Sequence, residues 1–194
     1  MNRAANIFDD KTGLDRIIFF SDAVMAIAIT LLVFDLNAPV VMLTRIISFI
    51  LSFAVIGIYW ESHHRTFRHI RRYDRPLIWL NLIYLFFVVL LPFTTRLIGA
   101  EPLARLLVIL YAFNVMLLGA TYLLILGHAY LGNRLIDAEI TPPEIRQRIR
   151  LALITPVIFL LSIIVSFIHP IVSYGFWFLA FLVPIFVPHW MKIR

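Results

Sequence analysis

Long apolar stretches alternate with short polar breaks along this chain. Six of them, residues 17–36, 45–62, 77–95, 106–130, 151–167 and 171–190, reach or approach the roughly 20 apolar residues a membrane-spanning helix requires. Helices are predicted for all six, because a spanning helix satisfies its own backbone whereas an open sheet in lipid does not. The first stretch carries Asp22 and Asp35, and the second has Arg45 and Glu61 at its ends. The other four contain no Asp, Glu, Lys or Arg. Several breaks are sharp. Asp74-Arg75-Pro76 opens the third span, Thr141-Pro142-Pro143-Glu144 reads as a capping box ahead of the fifth, and His169-Pro170 separates the last two. No linker, low-complexity run or alignable repeat of the two halves is visible. The pattern predicts an all-α membrane protein, one domain over residues 1–194 with six transmembrane helices.

Composition agrees. Of the 194 residues 62% are apolar and 14% charged, against about 45–50% and 25% in soluble domains. A small soluble domain has too much surface for its volume to hide that many apolar side chains, so a lipid bilayer must cover them. This excludes a soluble enzyme, a disordered tail and a free nucleic-acid binder. With no cysteine, disulfides, Cys-ligated metals and thiol nucleophiles are excluded too. The net charge of +6 is a topology signal. With the N-terminus inside, fourteen of the 17 Lys and Arg fall on the cytoplasmic side and only Arg45, Arg96 and Arg105 on the other. Both termini are therefore expected to be cytoplasmic. Trp60, Trp79 and Trp190 then lie near the cytoplasmic face as an aromatic belt. The first span is too long for a cleaved signal peptide and is preceded by Asp9, Asp10 and Asp15.

Candidate chemistry concentrates in the first span. Asp22 sits inside an apolar helix, where a carboxylate is costly unless paired or wet. Two readings are open: a structural lock bonded to a neighbouring helix with Ser21 assisting, or a cation or proton site. Helical spacing puts Phe20, Ala23, Ile27, Thr30, Leu31 and Phe34 on one stripe. Asp22 lies about 140° from Ile27, so both cannot face one axis. If the Ile27 stripe faces a pore, Asp22 faces a helix neighbour and is the lock. Ala23, Ala26 and Ala28 allow close helix approach, with Ala26 and Ser21 assigned to the packed side.

After span two the chain reads Tyr59-Trp60-Glu61-Ser62-His63-His64-Arg65-Thr66-Phe67-Arg68-His69. A metal reading of the His pair and Glu61 lacks HExxH spacing, and a polar cluster bonding the base of span one is favoured. The arginine run from Arg65 to Arg75, read as loop, fits topology and lipid-headgroup contact and not a voltage sensor. Pro92, Pro156, Pro184 and Pro188 are read as kinks, and Asn81 and Asn114 as interhelical hydrogen bonders. A carbonyl filter of TVGYG type, a P-loop, a Rossmann fingerprint and a GxSxG elbow are all missing.

Arg16-x-x-x-Phe20-Ser21-Asp22, opening a helix that continues Ala-Val-Met-Ala-Ile-Ala-Ile-Thr, resembles the signature of the transmembrane protein 175 potassium channels, the lysosomal potassium channel family with shorter prokaryotic members. The Tyr-Trp-x-x-His-His segment is similar to theirs as well. The resemblance implies a non-classical pore without a carbonyl filter, lined by the first helix. It implies a homotetramer for a chain with one six-span repeat. It makes Ile27 the constriction, Thr30 a contributor to potassium preference, and Leu31 and Phe34 the continuation of the narrow apolar lining. Arg16, Ser21 and Asp22 would hold the pore helix through inter-helix bonds, completed by Trp60 and by His63 or His64.

The expected function is therefore passive, potassium-selective conduction across a plasma membrane, with four Ile27 side chains gating by dewetting. No cofactor is expected beyond the permeant potassium ion, and no metal, nucleic acid or enzymatic activity. A proton-coupled secondary transporter using Asp22 and the His cluster is the main alternative. A membrane-embedded enzyme using Glu61, His63 and His64 ranks third.

Overall fold

The computed structural model describes residues 7–36, 42–130, 135–136 and 140–190, with side chains through Phe34 in the first stretch, from Leu43 in the second and through Ala180 in the last. Arg3, Arg134, Lys192 and Arg194 lie outside these residues, as do the side chains of Asp35, Pro184, Pro188 and Trp190. The first helix, α1 (Lys11–Leu31), begins well before the apolar stretch. Its start is set by Asp10, whose carboxylate accepts the N–H groups of Thr12 and Gly13 at 3.0 and 3.1 Å. It ends in a 3-10 turn, Leu32–Leu36.

The second helix, α2 (Met42–Phe67), is longer than expected. It runs past the predicted end at residue 62 to Phe67, so Arg65, the first of the arginine run read above as loop, is helical. Three contacts continue the helix: Arg65 pairs with Glu61 one turn earlier, the Thr66 hydroxyl donates to Ser62 O, and Phe67 is buried. The third, α3 (Arg75–Ala100), is capped by Asp74, which accepts the Leu77 N–H at 2.9 Å. Next come α4 (Arg105–Tyr130) and α5 (Pro142–Ser166). Glu144 accepts the Thr141 N–H at 3.0 Å, so α5 starts at its proline and carries two charged turns before its apolar part. The last is α6 (Pro170–Trp190). Among the described residues five helices are long and apolar enough to cross a membrane, and α6 is apolar through Ala180.

Helix α4 packs between α3 and α5, α6 lies against α5, and α1 sits at the edge against α3 and α2. The centre is closed tightly at Gly119, where a β-carbon would lie 2.6 Å from the Tyr59 hydroxyl and 2.9 Å from Pro156 Cδ. Polar side chains in this interior bond one another, since lipid offers no water to satisfy them. Thr95 donates to Leu91 O while its hydroxyl lies 2.6 Å from Ser52, which is 3.0 Å from the Tyr111 hydroxyl. The Trp177 indole donates to Ser162.

One end of the bundle carries a polar joint. Strand β1 (Ile7–Phe8) pairs antiparallel with β2 (Tyr73–Asp74), Phe8 stacks on Tyr73, and Arg72 bonds Asp9 at 3.2 Å. The opposite backbone edge is taken up by the α4–α5 connection: the Arg71 and Arg72 N–H groups reach Leu135 O, and Ile70 bridges Ile136. His128 at the end of α4 lies 2.9 Å from both Asp74 oxygens. Arg148 of α5 reaches His69 Nε2 at 3.1 Å. Gly13 fits against the Tyr73 hydroxyl, where any β-carbon would collide.

Candidate pore-helix site

The two faces of α1 have different surroundings. On one, Ser21 is fully buried and Asp22 half-buried. Asp22 accepts the Trp60 indole N–H at 2.9 Å, a bond from α2 that stabilises the charge where it sits. Ser21 donates to Ile17 O at 2.8 Å, so towards its other neighbour it can only accept. That fixes the rest of the chain of bonds. The Asn81 amide must present its NH2 to Ser21, at 2.9 Å, and its oxygen therefore faces His63 Nε2 at 2.8 Å. His63 must then carry its proton on Nε2, leaving Nδ1 buried with no hydrogen-bond partner among the described residues. The ring is held between Phe67 and Tyr84, with centroids 4.1 and 5.3 Å away.

The two histidines thus part company. His63 joins Ser21 through Asn81, while His64 is exposed and stacks on Trp60 at 5.7 Å. Asn81 was legible in the sequence as an interhelical bonder, but nothing in its spacing tied it to the motif in span one. Arg16 is exposed and makes no hydrogen bond or ion pair with the described residues, and Phe20 is 53% exposed. Ala26, assigned above to the packed side, is exposed; Ala28 is the buried alanine, because Met25, Ala28 and Leu32 form the inward row. No group of three or more His, Asp or Glu able to hold a metal occurs among the described residues.

The other face of α1 is largely uncovered by the described residues. Ile27 is 59% exposed, Leu31 43% and Phe34 70%, and Thr30 is exposed beside them. The Thr30 hydroxyl donates to Ile27 O at 2.8 Å. With its proton committed to the backbone, the hydroxyl oxygen can act towards any other partner only as an acceptor.

Residues 16–92 match the family model described as the endosomal/lysosomal potassium channel TMEM175. A potassium channel of Chryseobacterium sp. (strain P1-3) is 30% identical over 179 residues, covering 87% of this chain and 90% of the relative. The chain belongs to the TMEM175 family. The mouse endosomal/lysosomal proton channel TMEM175 is 26% identical over 195 residues, and this chain spans 38% of its length. The crystal structure of a lysosomal potassium-selective channel TMEM175 homolog from Chamaesiphon minutus superposes with a TM-score of 0.79 at 27% identity, over 90% of this chain and 98% of that one. Family membership makes this a multi-pass membrane protein of an ion-channel class, in keeping with its apolar helices.

Proposed function

We propose that this protein is a potassium channel conducting passively through a pore lined by the exposed stripe of α1. The bacterial relatives are named potassium channels. The observation that carries the reading is the division of α1. Its Asp22 side is tied to α2, and its Ile27 side is left bare within the protomer. In this reading copies of the chain, four of them, meet around an axis and bury the bare stripe. All six helices span, both termini are cytoplasmic, and residues 1–194 form one channel unit in the plasma membrane. Ile27 forms a dry ring that gates by dewetting, Leu31 and Phe34 extend the lining, and Thr30 oxygens replace part of an ion's hydration shell. Arg16, Phe20, Ser21, Asp22, Trp60, His63 and His64 hold or flank the pore helix. No cofactor takes part.

Hydroxyl coordination alone discriminates modestly, by about 1–2 kcal/mol, or roughly 5- to 30-fold for potassium over sodium. The test is potassium flux into liposomes holding the purified protein, with sodium as control. Ile27→Asn is expected to raise conductance and Thr30→Ala to move the potassium/sodium reversal potential. Unchanged values for both would remove the α1 stripe from the pore. Flux that requires a proton gradient would replace the channel reading with the transporter.

A further inference from the structure

Helix α5 carries two polar faces in its first turns. Arg148 bonds His69, and Glu144 bonds the Thr141 N–H and lies close enough to influence His69. On the other face Arg146 and Arg150, one turn apart, line an open cleft of about 540 Å³ with Pro143, Gln147 and Leu151. Neither guanidinium bonds a carboxylate of the described residues, and no acidic residue is among the described lining. By contrast Arg65 and Arg72 each have an acidic partner, Glu61 and Asp9. The cleft stands at a definite depth. Arg150 is the last charged residue before the uncharged run 151–167, and Leu151 is the first residue of that run. A ligand here would put an anionic group against two guanidiniums and an apolar portion against the hydrocarbon-facing part of α5.

We infer that this cleft binds the phosphodiester headgroup of an anionic phospholipid from the leaflet on the side of the α2–α3 turn. Two planar forks one turn apart suit phosphate oxygens, basic pockets at this depth are suited to anionic headgroups, and the volume lies within the usual range of ligand pockets, about 300–1,000 Å³. The binding is independent of which ion the pore conducts.

Native mass spectrometry of the full-length protein, titrated with phosphatidylglycerol or phosphatidylcholine, tests it. Arg146→Gln with Arg150→Gln is expected to weaken phosphatidylglycerol binding roughly 30-fold, about five-fold per arginine, without changing phosphatidylcholine binding. The exposed pair Arg68 and Arg75, part of the run read above as general headgroup contact, is the control for diffuse charge, and changing both to Gln should weaken phosphatidylglycerol binding clearly less than the α5 double variant does. If the α5 double variant does not fold, the two single variants are read at five-fold each. Equal loss in the Arg68/Arg75 control would show diffuse charge attraction and overturn the site. So would undiminished binding in the α5 variants. Competition by glycerol phosphate as strong as by the lipid would assign the cleft to a soluble anion and overturn the lipid reading.

Discussion

At the scale of single residues, Asn81 is the pivot of the support for α1. Its oxygen accepts a hydrogen bond from the His63 N–H and its NH2 donates to Ser21, so one amide joins α1, α2 and α3. Asn81→Leu would strand the buried His63 N–H and remove the bond that ties α3 to Ser21, which keeps only its bond to Ile17 O. The expected cost is about 1–2 kcal/mol, seen as a lower unfolding temperature in detergent, with ion selectivity unchanged in whatever protein remains folded. Asp22→Asn keeps an acceptor for Trp60 but removes its charge; fewer assembled complexes at unaltered pH response is the expected result for a lock. A shifted pH dependence with normal assembly would instead make Asp22 a proton site. Asp22 was readable in the sequence because a carboxylate in an apolar helix is conspicuous. Asn81 was not readable as the partner of Ser21 beside it, since those two positions are 60 residues apart and only packing brings their helices together. Nor could spacing separate His63 from His64, which are adjacent and differ only in which way the end of α2 turns them.

At the scale of elements, the apolar runs revealed the helices while their ends were obscured. Hydropathy registers what lipid covers, whereas caps such as Asp10 and Asp74 and pairs such as Glu61 with Arg65 extend helices into water. The contact between α4 and α5 gives a sharp contrast among glycines. Gly119→Ala pushes a methyl into Tyr59 and Pro156 and is expected to cost about 1–3 kcal/mol, measured by the fraction of protein remaining monodisperse after heating. Gly57→Ala and Gly175→Ala meet nothing within 4 Å and should gain up to about 1 kcal/mol of helix propensity. The α2–α3 turn is pH-sensitive through His69. Burial, then the Arg148 charge, lower its pKa, and its Nε2 must be unprotonated to accept from Arg148. The unfolded chain therefore binds the proton first. The contribution of this contact is complete above about pH 6.5 and falls as the pH drops from there through the lowered folded value. Amide exchange in residues 68–72 should quicken over that interval, and His69→Gln should flatten the response.

At the scale of the whole molecule, the exposed row Ile27, Leu31 and Phe34 and the shielded row Met25, Ala28 and Leu32 divide α1 between two tasks. The inward row belongs to the fold of one chain. The outward row is largely uncovered by the described residues, so the sequence could show the stripe by its spacing but not what covers it, which depends on surfaces beyond one chain in the proposed reading. Cross-linking of cysteines placed at residue 27 is expected to yield covalent multimers in membranes, and their absence would separate α1 from any shared axis.

The joint around residues 69–74 has a practical consequence for grafting between relatives. Its backbone is clasped from one edge by the N-terminal strand and from the other by the α4–α5 connection, with Arg148 fastened to His69 beyond. A hybrid that exchanges only the first three helices would leave these clasps without their counterparts on the recipient's side. Segments 7–10 and 69–74 would have to be exchanged together with 135–148, although they are distant in the chain, for the hybrid to close.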